Sequence, residues 1–183
     1  MAKSKLSEFK QLLAQMDENE LREELMKLYN KLPLVKDFYN QDLMTEEERQ
    51  EVLKTYKTKI YKQYWTSRTN PKIPNNTNVK KILEEYEKIS VFPYDVIDLL
   101  IYRVETNTDH ANEFGGTSDG CYNTSITSFK KAMKLINDNN LRSHFETRCK
   151  KIFKANNLDY WYIEQLEYLF EEGQYSVENS VEN

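Results

Sequence analysis

The chain offers few places for a strand to turn. Its 183 residues include four glycines and four prolines, whereas the tight turns of an all-β fold demand residues that supply a positive or a fixed φ. Apolar residues recur instead at helical spacing. Leu21, Leu25, Leu28 and Leu32 follow one another at intervals of 4, 3 and 4, which puts them on one face of an α-helix. Asp17 with Glu20, and Thr45 with Glu48, are capping boxes. In each, the first side chain accepts from a first-turn amide and the Glu reaches back. The expectation is an all-α fold of eight to nine helices. Short connections would pack them as antiparallel hairpins, or as a short curved helical array.

Ser7 is placed to cap a first helix burying Phe9, Leu12, Leu13 and Met16. Pro33 ends the Leu21 stripe and opens a successor with Val35, Phe38, Tyr39 and Leu43. After Thr45 a helix runs to about Trp65, with Leu53, Tyr56, Ile60 and Tyr64 on one face. Residues 66–78, TSRTNPKIPNNTN, favour turns. They are read as a linker between an N-terminal helical subdomain, 1–65, and a C-terminal one, 79–172. Asn78 would cap a helix with Val79, Ile82 and Tyr86, and Pro93 would begin one with Ile97, Ile101 and Val104. Three more fall at about 119–138, 141–155 and 158–172. Residues 173–183, ending in SVENSVEN, read as a flexible acidic tail.

The segment TDHANEFGGTSDGC concentrates unusual residues. The stripe from Ile97 continues through Thr108 and Ala111, so the helix is expected to reach TDHANEF and stop at Gly115-Gly116. Glycine readily takes the left-handed conformation there, and Ser118 or Asp119 would cap the next helix. This placement stacks Glu105, Asp109 and Glu113 as a carboxylate ladder, with Arg103, Asn107 and His110 on an adjacent face. Like charges one turn apart cost a helix a few tenths of a kcal/mol (roughly 0.2–0.5) per pair. Plain solvation, a basic neighbour or a cation should offset this, and Lys130, Lys131 and Lys134 on the following helix are the obvious neighbours. Arg103, Glu105, Asp109, His110 and Glu113 form the candidate binding surface, and the carboxylates would suit a hard cation. The order His110-x-x-Glu113 is the reverse of the Glu-x-x-His of di-iron bundles. No HExxH, GxSxG or GxxxxGK[ST] motif occurs, and no cofactor is expected. Cys121 is read as a packing cysteine, with a Cys121–His110 nucleophile pair as the alternative.

Charge comes in blocks. Net charge is −3 over residues 1–50, +7 over 51–82, −7 over 83–120, +6 over 121–154 and −7 over 155–183. Either helices of opposite sign pack side by side, or the basic blocks face an anionic partner. Residues 54–72 interleave Lys with Tyr and Trp, a pattern that suits phosphates and bases. Tyr56, Ile60 and Tyr64 are needed for burial, which leaves Tyr61 and Trp65 free. An overall net charge of −4 argues against a dedicated nucleic-acid binder. No window holds the ~18 apolar residues of a membrane span. The charged start, MAKSKLSEFK, and the pair of cysteines point to a cytoplasmic protein.

The opening KLSEFKQLLAQMDENELREELMKLYNKLPLVKDFY resembles a bacterial family of small all-helical proteins of unknown function, with its K-L-x-E-[FL]-K start and L-Y-x-K-[FL] helix end. The run YRVETNTDHANEFGGTSDGCYNTSITSFKKAMKLI is similar to that family's aromatic-Val-Glu helix, Phe-Gly turn and Phe-x-x-Ala helix. Gly116 and Cys121 depart from the pattern. The resemblance implies an all-helical bacterial cytoplasmic protein and lends no activity.

Three functions remain. The first is a non-catalytic module that binds an unknown protein or peptide partner in a groove between helices. The second is a nucleic-acid or ribonucleoprotein accessory using the basic 54–81 face, through Lys54, Lys57, Lys62, Arg68 and Lys72. The third is a metal-dependent enzyme centred on Glu105, Asp109, His110 and Glu113.

Overall fold

The computed structural model describes residues 5–67, 70–155 and 158–181. Among them run nine helices: α1 (Leu6–Gln15), α2 (Glu18–Lys31), α3 (Pro33–Leu43), α4 (Glu46–Tyr64), α5 (Asn76–Ile89), α6 (Pro93–Phe114), α7 (Asp119–Asp138), α8 (Arg142–Ile152) and α9 (Tyr160–Val181). The all-α class is that expected.

Local chemistry explains most boundaries. Asp17 accepts from the amides of Asn19 and Glu20 at 2.8 and 2.9 Å, and Glu20 bonds back to the Asp17 amide at 2.9 Å. The Thr45–Glu48 box closes in the same way. Pro33 and Pro93 sit in first turns, where a missing N–H costs nothing. Gly115 ends α6 with φ 72°, and the Gly116 amide reaches back to the Ala111 carbonyl at 2.7 Å. Ser118 caps α7.

Two caps differ from expectation. α1 already begins at Leu6, so Ser7 lies inside it and caps nothing. Asn75, not Asn78, caps α5, its Oδ1 accepting from the Asn78 amide at 3.0 Å. In a run of several asparagines the cap goes to the one where the incoming chain turns. The 66–78 stretch does turn, but as a hairpin. Strands β1 (Trp65–Ser67) and β2 (Asn70–Pro71) pair antiparallel, and the Lys72 amide donates to the Tyr64 carbonyl at 2.9 Å.

α6 is the centre of the molecule. Its Ile97, Leu100, Ile101, Val104 and Ala111 share one core with Leu53, Ile60 and Tyr64 of α4 and Val79, Leu83 and Tyr86 of α5. Phe129, Met133 and Ile136 of α7, Phe145 and Ile152 of α8, and Tyr162, Leu166 and Phe170 of α9 complete it. The core thus joins α4 to the helices beyond the hairpin. Successive helices α2/α3, α4/α5 and α6/α7 pack together, while α3/α5, α4/α6 and α7/α9 close them into a bundle.

The N-terminal helices stand apart. α1 and α2 bury no side chain, and α3 buries only Gln41. Phe9 and Leu12, expected inside, are about half exposed, as are Leu25 and Leu32. Helical spacing marks a face that can be buried and does not name its partner. Here the bundle core is filled by α4–α9. Among the described residues, no helix is long and apolar enough to cross a membrane.

Candidate functional site

α6 is buried nearly all round, so its polar residues must find partners inside the protein. Asp98 and Glu105 lie two turns apart on one face, between α4 and α8. Arg148 of α8 bridges them: Nη1 donates to Asp98 at 2.6 Å, while Nε and Nη2 donate to Glu105 at 2.9 and 2.7 Å. Lys57 of α4 donates to Asp98 at 2.9 Å. Nearby, Arg49 reaches the buried Asp95 at 3.1 Å. Burial pushes the Asp95 carboxyl up, and Arg49 partly opposes this. The counter-charge of the ladder therefore comes from α8, not from the lysines expected on α7. Lys131 instead pairs with Glu87 of α5 at 2.6 Å, because α7 packs on another side of α6. The alternating charge blocks thus meet across helix interfaces.

Above this network a cleft of about 730 Å³ opens between α4, α6 and α8, lined among others by Tyr61, Tyr102, Glu105, Asp109, Arg148 and Lys151. Asp109 sits at its rim. The residue is exposed, but desolvation against the cleft wall first, and the Glu105 carboxylate second, push its pKa up, against Lys151. A carboxyl whose folded pKa is raised binds protons more tightly in the native state, so stability falls as pH rises past its unfolded value near ~3.9. Asp109→Asn is expected to raise the melting temperature at pH 7, and the gain should vanish below about pH 4. Thermal unfolding at the two pH values checks this. A variant no more stable at pH 7 would refute the assignment. Glu113 projects beyond the cleft and is exposed.

His110 faces the opposite way. Its ring lies 5.6 Å from Tyr64, 5.3 Å from Trp65 and 5.1 Å from Phe114. Nε2 is 3.1 Å from the Lys72 carbonyl, and a carbonyl can only accept, so Nε2 carries the proton. Nδ1 is then a bare acceptor, buried and unpartnered. Burial holds the imidazole below its ordinary pKa, against the Lys72 bond. Glu105, Asp109, His110 and Glu113 therefore do not converge. Among the described residues no group of three or more His, Cys, Asp or Glu side chains could hold a metal ion.

Arg103 is the surprise of α6. It is 1% exposed, and no carboxylate pairs with it among the described residues. Nη2 donates to Thr124 Oγ1 at 2.6 Å and to Asn76 Oδ1 at 3.4 Å, while Nη1 has no partner. Asn76 then passes its Nδ2 to Cys121 Sγ at 3.1 Å. Arg148, Asn76 and Thr124 have no motif to mark them. Only the alternation of charge blocks hinted that a base from another helix would meet the ladder.

Two of the five residues of the basic face form ion pairs within the chain. Lys54 bonds Glu51 on its own helix at 3.1 Å, and Lys57 belongs to the Asp98 network. Lys62 and Lys72 are exposed, and Arg68 lies outside the described residues. Trp65, expected to be free, is 9% exposed and packs on His110 and Phe114, with Tyr61 stacked at 6.0 Å.

The third feature is apolar. Leu6, Phe9 and Leu12 of α1, Leu25 and Met26 of α2, and Leu34 and Phe38 of α3 are each 39–58% exposed. A groove of about 550 Å³ between α1 and α2 is lined by Leu12, Met16, Glu20, Glu23 and Glu24, with Gln15 and Lys27. Scattered exposed leucines are ordinary on a folded surface.

No curated protein matches the chain, and no solved structure does. The sequence pattern of a family of unknown function, DUF6155, matches residues 1–172, a span that takes in both segments on which the resemblance rested and every described helix except the end of α9. The chain belongs to the DUF6155 family of unknown function.

Proposed function

We propose that this protein is a non-catalytic interaction module whose α1–α3 face holds an amphipathic helix of a partner protein with basic residues along its flank. The observation that carries the reading is the uncovered apolar stripe of α1 and α2, helices that contribute nothing to the core. Fully covering a Leu or Phe gains about 1.5–3 kcal/mol. These side chains are already about half covered, so three or four of them gain about 2–6 kcal/mol before the cost of association, which places the contact in the weak, transient range. Charge selects the occupant. Glu20, Glu23 and Glu24 edge the groove, and residues 1–50 carry 11 acidic against 8 basic side chains. A basic helix is therefore attracted and an acidic one repelled.

The test uses two synthetic helices sharing one leucine stripe, one flanked by Lys and the other by Glu, titrated against the full chain by fluorescence anisotropy. The Lys-flanked helix should bind in that weak range, and the Glu-flanked one at least ~10-fold more weakly. Leu25→Glu, at an exposed position, should abolish binding without unfolding the protein. Equal binding of both peptides, or of neither, refutes the proposal. So does a stable dimer that buries this face, since the occupant is then a second copy of the chain.

A further inference from the structure

Cys121 lies in the third position of α7, in the wall of a cavity of about 590 Å³. Lys72, Asn76, His110, Thr117 and Ser118 share that wall. Two side-chain donors converge on the sulfur: Asn76 Nδ2 at 3.1 Å and Ser118 Oγ at 3.3 Å. The orientation of an amide is normally ambiguous, but here chemistry decides it. A guanidinium only donates, so Arg103 requires the oxygen of Asn76 on its own side and thereby turns the amide NH₂ toward the sulfur. Arg103 is also a buried cation without a carboxylate, a costly arrangement unless something else carries the negative charge. The sulfur, joined to Arg103 through Asn76, is a group able to do so. A second observation points to a reactant. His110 is 7% exposed, lies in the same wall, and keeps an unprotonated Nδ1 with no donor to satisfy it.

We propose that Cys121 is a modification site whose sulfur reacts as a thiolate with small hydroperoxides to give a sulfenic acid. The sulfur lone pair attacks the terminal oxygen of R–O–O–H. An S–O bond forms and the O–O bond breaks. The OH group stays on sulfur, and the leaving alkoxide or hydroxide takes a proton from water. Sulfur is oxidised by two electrons and the peroxide is reduced by two. The first-turn amides of α7 add to the field that favours negative charge. Burial works to raise the Cys121 pKa, but hydrogen bonds from Ser118, Thr117 and Asn76, with the Arg103 charge, outweigh it and leave the thiol below its ordinary value. Cys149 supplies the contrast. Both cysteines are buried, Cys121 at 3% and Cys149 at 0% exposure, but in α8 burial dominates and pushes the Cys149 pKa up to about 12. The other titratable groups around Cys121 are Tyr64 of α4, Lys72 before α5, His110 of α6, Asp119 of α7 and Tyr162 of α9.

The experiment alkylates the full chain with iodoacetamide at pH 6.5 and follows each cysteine by peptide mass spectrometry. A parallel sample is treated with hydrogen peroxide and then dimedone. Cys121 should alkylate at least ~10-fold faster than Cys149 and should alone carry the dimedone adduct. Asn76→Asp is the informative variant. A carboxylate there still accepts from Arg103 and suits the first turn of α5, so the fold is kept, but it presents an acceptor instead of a donor to the sulfur. The Cys121 rate should fall about tenfold or more. Arg103→Met, which removes the unpaired charge at similar volume, should slow it as well. A Cys121 no faster than Cys149, a missing dimedone adduct, or an unchanged rate in folded Asn76→Asp overturns the proposal.

Discussion

Arg148→Ala is expected to destabilise the protein by about 2–3 kcal/mol. Removing one partner of a buried pair costs about 3–5 kcal/mol, because it strands the opposite charge in a poorly solvated place. Here the removal would strand Glu105 and leave Asp98 to Lys57 alone. Asp98 is 8% exposed and Glu105 half-buried, and both carboxylates lean on the same guanidinium. The figure is discounted because the Arg148 side chain keeps 32% of its exposure and water reaches one edge of it. For a chain of this length the loss corresponds to a melting temperature lower by about 5–10 °C. Urea and thermal unfolding measure it directly. Glu105→Gln in the Arg148→Ala background should recover part of the loss, since the two sites share one network. A single variant within about 0.5 kcal/mol of the parent would show that the bridge contributes no more than an ordinary surface pair.

Phe129→Ala is expected to cost more, about 3–5 kcal/mol, as transfer free energy and a cavity add together. Phe129 is fully buried on α7, its ring 6.1 Å from Phe153 in an edge-to-face pair. Phe9→Ala serves as its control. Phe9 occupies an equally regular helical stripe but is 50% exposed, so its loss should change stability by less than about 0.5 kcal/mol. The comparison separates an apolar face that is core from one that awaits a partner. If Phe9→Ala were as damaging as Phe129→Ala, α1 would be packed in solution and the proposed docking face would be lost with it.

Helix positions and ends were legible in the residues. The two capping boxes, the prolines in first turns and the Gly115-Gly116 stop are local devices that a few neighbouring side chains and one backbone angle complete. The Asn75 cap and the short hairpin were not, because NNTN offers several equivalent starts and only the return of the chain onto Tyr64 chooses among them. In the candidate site, Glu105 and Asp109 do share a cleft, as their spacing implied, whereas His110 was expected beside them and lies on another side of α6. Residues 105, 109 and 110 are close along the chain, but one step along a helix turns a side chain through about 100°.

By itself the sequence determined the all-helical class, most helix boundaries, the carboxylate ladder and the alternation of charge, since each depends on contacts within a few residues. Tertiary structure alone decided which stripe is core and which is bare, which base answers the ladder, and that Arg103 is buried beside Asn76 and Cys121. These depend on pairs 27 to 45 residues apart, and periodicity within one helix holds no information about which helix will lie against it.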